Sequence, residues 1–288
     1  MAELLTGKSV ADHLTSDTRR RADRLREKGV SPRLVILRCG ENEADGAYIR
    51  GAMKRGGLCG VEVELRTLAA DVSAEALAAS LHAVNGDDAV HGCLLLRPLP
   101  THLRGQESEL CALLDPRKDV DGMTPLSAAG VFTGSGEGFA PCTAQACMEL
   151  LDFYGVDVQG KHAVVVGRSP VVGRPVSSLL LVKNATVTTC HTKTNDTAAM
   201  TRQADVIISA AGSAGSLTAH HVRAGQVVID VSTNWNGVSL CGDADFDAVS
   251  AIVDGITPVP GGVGAVTSAV LMRHTVQAAE RLSGEGRP

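Results

Sequence analysis

Aromatic residues are scarce in this chain: one Trp, two Tyr and four Phe among 288 residues. The core must therefore be built from Ala, Val, Leu and Ile, and any exposed aromatic becomes a candidate for binding. No apolar run is long enough to span a bilayer. The start Met1-Ala2-Glu3-Leu4-Leu5 lacks the basic-then-apolar order of a signal peptide, which points to a cytoplasmic protein with no membrane partner. The eight cysteines (39, 59, 93, 111, 142, 147, 190 and 241) form no C-x-x-C pair, so neither a zinc site nor a disulfide framework is signalled. Basic residues are not in excess: the formal net charge is -5, which leaves no footprint for nucleic acid. With 44% hydrophobic and 20% charged residues, the composition is that of a globular protein acting on a small molecule.

What is present is a double alternation of helix-like and strand-like segments. A charged amphipathic stretch from Glu3 to Lys28 precedes an apolar strand Leu34–Leu37, a helical pattern through Lys54 and a strand Val61–Leu65. A helix Val72–Val84 and a buried strand Gly92–Leu96 complete the first round. Such alternation predicts a parallel sheet with crossover helices. A second round follows the Gly-rich stretch 134–138. It runs through helix Thr143–Tyr154, strand His162–Val166, helix Arg174–Leu181 and strand Ala185–Thr189, then strands Val206–Ile208 and Val227–Asp230. That pattern is doubly wound in its own right. The last helical stretch, Ala265–Leu282, is free by sequence to pack on either half, and the tail Ser283–Pro288 is expected to fray. The reading is thus an α/β protein of two domains with a cleft between them. Residues 1–121 with 265–288 make an N-terminal α/β domain with a parallel sheet, and 122–264 a C-terminal Rossmann-type domain.

The buried strand Val164-Val165-Val166 ends in Gly167-Arg168-Ser169-Pro170-Val171-Val172-Gly173-Arg174-Pro175, after which a helix starts. A loop of this kind brings backbone N–H groups and a helix N-terminus to where a pyrophosphate can sit. Gly-x-Gly-x-x-Gly itself is not present, so a plain strand-to-helix turn stays open as the alternative. The next strand bears on the cofactor. An NAD site calls for an acid about 20 residues beyond the glycine loop, yet Cys190-His191-Thr192-Lys193-Thr194 contains none. A carboxylate there would repel a ribose phosphate, whereas Arg168, Thr192 and Lys193 attract one, so NADP is favoured. His191 either touches the ribose or caps the strand. The pair His220-His221 reads as a solvated turn, because neighbours in sequence do not share a helix face. Ser169 is not in a hydrolase elbow, since Val171 stands where Gly-x-Ser-x-Gly requires glycine.

Taken together, Asp115-Pro116-Arg117-Lys118-Asp119-Val120-Asp121-Gly122, Pro141-Cys142-Thr143, the 167–175 loop, Ala185–Thr194 and Thr257-Pro258-Val259-Pro260-Gly261-Gly262-Val263-Gly264 resemble the signature segments of the methylenetetrahydrofolate dehydrogenase/cyclohydrolase family. They occur in the family's order across nearly the whole chain. The resemblance implies a folate-type substrate lying against the first domain, with Tyr48 stacking on the pterin and Asp121 holding its polar edge. It also implies Pro260, Gly261 and Gly262 on the substrate side. Gly167, Arg168, Ser169, Val172, Gly173, His191 and Thr192 are implied for NADP, with Thr233 on the nicotinamide side, at a position the family usually keeps apolar. Homodimers through the Rossmann domain are common in the family.

The departures are specific. Bifunctional members resemble one another in Tyr-x-x-x-Lys, but four residues after Tyr48 stands Ala52, and Lys54 faces another way. Leu96 occupies the place of a Gln, Asp45 that of a Ser and Ala265 that of a Pro. Losing the Lys and Gln predicts a roomier, less polar pocket in which cyclohydrolase activity is lost or weak, because water attack and ring opening need an acid/base group. Hydride transfer from the one-carbon bridge needs no such group. The alternatives are an NADP-dependent C–N oxidoreductase acting on another amine, imine or hydrazone, toward which an unpaired Asp45 would steer a cationic partner, and a non-catalytic NADP- or folate-binding protein.

Overall fold

The computed structural model describes residues 2–284. In chain order, β1 (Glu3–Leu4) and α1 (Gly7–Glu27) lead to β2 (Arg33–Cys39), α2 (Glu43–Cys59), β3 (Glu62–Leu68), α3 (Ala74–Gly86), β4 (Gly92–Leu95), α4 (Glu107–Cys111) and α5 (Pro125–Thr133). There follow α6 (Cys142–Phe153), β5 (His162–Val166), α7 (Gly173–Val182), β6 (Thr186–Cys190), α8 (Thr197–Gln203), β7 (Val206–Ser209) and β8 (Val227–Asp230). The chain closes with β9 (Asn234–Trp235), β10 (Leu240–Cys241), α9 (Phe246–Ser250), β11 (Gly255–Ile256) and α10 (Val263–Leu282). No helix among the described residues is long and apolar enough to cross a membrane, and all eight cysteines are free of disulfides.

Two compact units divide the chain. The first comprises Asp12–Cys142 with the residues from Ser268 on, the second Thr143–Thr267 with the residues up to Ala11. This partition departs from the expected one at the N-terminus and at both junctions, which fall at 142 and 267 instead of 121 and 264, and the first two departures have identifiable reasons. β1 pairs in parallel with β11, Glu3 opposite Gly255, and so joins the second unit. Residues 122–142 stay with the first because Asp119 accepts hydrogen bonds from Met123 N (2.9 Å), Thr124 N (2.8 Å) and Ser127 Oγ (2.6 Å).

In the first unit, β3-β2-β4 form a parallel sheet, in which Leu34 lies opposite both Val63 and Gly92. Cys93 N donates to Lys118 O at 2.7 Å, which lays the Lys118–Val120 segment along β4. Leu77, Leu81 and Val84 of α3, spaced for one helical face, are fully buried with Val35, Leu37 and Leu95 of the sheet. Ser73 caps that helix, its Oγ accepting from Ala76 N at 3.2 Å. The buried Lys118 closes its other end, Nζ donating to the carbonyls of Val84, Asn85 and Asp87 at 2.7–3.0 Å. From Ser268, α10 belongs to this unit, where His274 Nδ1 donates to Val120 O at 2.9 Å.

The second unit carries a parallel sheet in the order β1-β11-β8-β7-β5-β6. Its inner strands β5, β7 and β8 are mostly apolar runs, with Val164, Ile207 and Val228 fully buried, as strands covered on both faces require, while the edge strands β1 and β6 are partly exposed. β6 lies on one side of β5 and β7 on the other, so the strand order reverses between β5 and β7. In sheets of this kind ligands bind outside the strand C-termini at that reversal.

Candidate active site

On α2, Ile49, Ala52, Gly56 and Cys59 form the buried stripe. Tyr48 flanks it, 36% exposed, while Ala52 is completely inaccessible and Lys54 is exposed. The side chain of Ala52 therefore does not reach solvent in this structure, whereas that of Lys54 does. Leu96, half-buried, follows β4 with its N–H on Leu37 O at 2.9 Å. Asp45 is half-buried at the start of α2 and forms no ion pair among the described residues.

Asp121 lies at the end of the segment that Lys118 and Asp119 anchor, and its Oδ1 accepts from Cys142 N at 3.4 Å. Val120 O, one residue earlier, accepts from both His274 Nδ1 and Cys142 Sγ (3.4 Å). Burial pushes the Asp121 carboxyl above its ordinary value, opposed by its bonding to Cys142 and by the nearby Arg97. Burial of its hydroxyl, then the charges of Cys142 and Asp121, hold the Tyr48 phenol well above its ordinary value, so it stays protonated at neutral pH. Tyr48, Asp121 and Cys142 thus converge in the first unit. They offer an aromatic face and a hydrogen-bonding carboxyl, with no lysine where the resemblance calls for one.

The remaining expected residues lie in the second unit. Gly167 ends β5 at a φ of 135°, and a Cβ there would stand 2.2 Å from Ala210 O; at Gly173 it would stand 2.2 Å from Gly167 O. Both glycines are sterically required for the loop to turn from strand into helix. Ser169 Oγ accepts from Val172 N (3.1 Å) and Gly173 N (3.4 Å), closing the loop onto the start of α7. Gly173→Ala is expected to lower the unfolding free energy by about 1–3 kcal/mol, the usual cost of overpacking. Chemical denaturation measures this, and an unchanged midpoint would remove the steric argument.

Arg168, Arg174 and Lys193 are exposed, and none forms an ion pair among the described residues. The acid nearest the end of β6, Asp196, is committed to capping α8, accepting from Ala199 N at 2.8 Å. His191 is half-buried with Nδ1 accepting from Lys193 N at 3.1 Å, and Thr192 is exposed. The reversal point is therefore lined by cations and glycines. Glycine at 167 and 173 lets the loop close onto the start of α7, where a Cβ would strike backbone, and the cations beside it have no ion pair among the described residues, so these residues fit a phosphorylated dinucleotide.

Thr233 is exposed between β8 and β9. Pro260, Gly261 and Gly262 belong to the turn before α10, where Gly7 N donates to Gly261 O at 2.8 Å. A Cβ on Gly7 would lie 2.1 Å from Gly262 O, so this turn is packed against the start of α1. His220 and His221 form a 3-10 turn in which Thr218 Oγ1 engages His221 Nδ1 at 2.9 Å, and no group of metal-binding residues occurs among the described residues.

A family model described as "Tetrahydrofolate dehydrogenase/cyclohydrolase, catalytic domain" matches residues 5–121, and its "NAD(P)-binding domain" counterpart matches 141–283. The chain belongs to the tetrahydrofolate dehydrogenase/cyclohydrolase family. The bifunctional protein FolD of Paracidovorax citrulli is 44% identical over 98% of this chain and 99% of its own length. The crystal structure of bifunctional FolD from Campylobacter jejuni is similar at a TM-score of 0.93 and 37% identity, covering 98% of this chain and 99% of that one. The Trypanosoma brucei dehydrogenase-cyclohydrolase, solved with NADP cofactor and inhibitor, shares 33% identity at a TM-score of 0.91, with 99% of both chains covered.

Sequence places Asp230 of this family member at a strand end where ligands of open sheets bind, but not its partners. Asp230, at the end of β8, is buried and accepts from Asp243 N (3.0 Å) and Ala244 N (2.8 Å). Burial pushes its carboxyl up to about 6, opposed by those two N–H groups and reinforced by the charge of Asp243. An acid raised in the folded state contributes stability below its unfolded value and loses it as pH rises through the folded one. A rise from 3.8 to about 6 corresponds to roughly 3 kcal/mol, lost between about pH 4 and 6. Asp230→Asn should lack this slope. Parallel denaturation of both proteins from pH 4 to 7 measures it, and identical slopes would contradict the assignment.

Proposed function

We propose that this chain is an NADP-dependent dehydrogenase that oxidises methylenetetrahydrofolate to methenyltetrahydrofolate, and that hydrolysis of the product is lost or weak. The observation that carries the reading is the combination on α2 and β4. Tyr48 and Asp121 are retained together, while the inaccessible Ala52 and the apolar Leu96 stand where the bifunctional pattern has Lys and Gln. NADP, when bound, supplies the hydride acceptor. The chain's own residues then have three tasks. Tyr48 presents a face for the pterin, Asp121 accepts hydrogen bonds from its polar edge, and Gly167–Gly173 with Arg168 hold the phosphates. None of these tasks moves a proton, because the cation left by hydride loss is stabilised by its two flanking nitrogens. Ring opening by water does move protons, and neither Ala52 nor Leu96 can carry one.

The decisive assay follows NADPH formation by the purified protein with methylenetetrahydrofolate. Turnover is expected, and a protein that binds NADPH yet never forms it from this substrate would overturn the reading. A second reading, oxidation or reduction of a C–N bond in a cationic non-folate substrate, draws on Asp45, a half-buried carboxylate three residues before Tyr48 and on its helix face. In that case thermal stabilisation by NADPH without stabilisation by folate is expected.

A further inference from the structure

The second unit contains a polar hub that no motif marks. Asp243 is fully buried, and six donors converge on its carboxylate. Ala211 N (2.7 Å), Gly212 N (3.3 Å), Ser209 Oγ (3.2 Å) and Ser232 Oγ (2.8 Å) reach Oδ2. Ser213 N (2.8 Å) and Asn234 Nδ2 (3.0 Å) reach Oδ1. The donors come from two places only, the end of β7 with the loop that leaves it and the segment leaving β8. Both lie at strand C-termini beside the point where the strand order reverses.

Three of the donors are successive backbone N–H groups, Ala211 to Ser213. Such a concave run of N–H groups attracts anions, and here the protein's own carboxylate fills it. Those donors are consequently spent, and a dinucleotide's phosphates are directed to the Gly167–Gly173 side. Asp243 is itself fixed, its N–H on Asp230 Oδ1 and its carbonyl accepting from Leu217 N at 3.1 Å. The preceding residue must be glycine, since a Cβ at Gly242 would stand 2.0 Å from Asp230 Oδ2.

A dinucleotide lying across the reversal, with its adenosine phosphate toward Arg168 and β6, places its other half over β7 and β8. Resting on the NADP reading above, we infer that Asp243 is a positioning residue for the nicotinamide half of the cofactor: it holds the 210–213 loop and the 231–234 segment, Thr233 included, as one preformed wall. Asparagine is nearly isosteric but cannot replace it. Its NH2 would face donors on either oxygen position, and while the hydroxyls and Asn234 can turn round, the backbone N–H groups cannot.

The test titrates wild type and Asp243→Asn with two probes, NADPH and adenosine 2′,5′-bisphosphate, which carries the ribose phosphate but no nicotinamide. NADPH affinity is expected to fall at least ~10-fold, about 1.4 kcal/mol, with the bisphosphate unchanged within about twofold. Equal weakening of both probes would mean general damage, and no weakening of NADPH would mean no positioning; either overturns the inference. Should Asp243→Asn fail to fold, the Ser232→Ala, Asn234→Ala double variant removes only two donors and must show the same split at reduced size. Trp235, the only tryptophan of the chain, follows Asn234 and reports by its emission whether the wall is held. A wild type that binds neither probe would instead sink the dinucleotide reading, and this inference with it.

Discussion

Purified protein given methenyltetrahydrofolate is expected to hydrolyse it at the rate of buffer alone, while the same preparation forms NADPH from methylenetetrahydrofolate. A positioned acid/base group contributes about 10²- to 10⁴-fold to such a step. That factor is the deficit expected against a bifunctional relative assayed in parallel. Of the groups near Tyr48, Asp121 accepts from Cys142 N and is assigned to the polar edge of the pterin, and the others do not supply it. The phenol stays protonated, Cys142 is pushed well above its ordinary value by burial, and Lys54 is exposed on another face. Restoring Lys and Gln together, as Ala52→Lys with Leu96→Gln, is expected to raise hydrolysis at least ~100-fold. Because Ala52 is wholly inaccessible, the gain should be accompanied by a stability loss of about 1–3 kcal/mol. Hydrolysis by the unmodified chain at a relative's rate would show that some other group carries the proton.

The second large effect concerns cofactor choice. Arg168→Glu is expected to weaken NADPH binding at least ~100-fold while changing NADH binding by no more than about threefold. The variant loses a charge-assisted contact, typically about 1.5–3 kcal/mol, and adds repulsion toward the ribose phosphate. With Arg174 and Lys193 left in place, some preference for the phosphorylated cofactor should persist, and raising the salt concentration should narrow it further. Competitive titration with both cofactors decides the matter. If both are weakened alike, Arg168 serves the pyrophosphate or the loop and not the ribose phosphate.

Strong local signals explain what could be read in advance. Strands His162–Val166 and Val227–Asp230 occur with the expected limits, since unbroken β-branched runs leave little freedom. The loop glycines were legible because their steric need is local. β1 and β11, two residues each, have no periodicity to read; β1 exists as a strand only through a partner some 250 residues away, and β11 through β1 and β8. α5 was overlooked beside the Gly-rich stretch although its ends were signalled, by Thr124 and Pro125 at the start and by Gly134 at φ 68° after the last turn. The complete inaccessibility of Ala52 was not legible, because burial depends on packing from elements distant in sequence. Asp243 had no local mark at all: its donors lie 9 to 34 residues away.

The parallel pairing of β1 with β11 builds a delay into synthesis: residues 3 and 4 are made about 250 residues before their partners 255 and 256, so the rim of the larger sheet cannot close while the intervening chain is still being added. A fragment starting at residue 141, where the nucleotide-binding match begins, would lack β1 and so bare one edge of β11, whose other edge stays on β8, leaving that edge open to pairing with other chains.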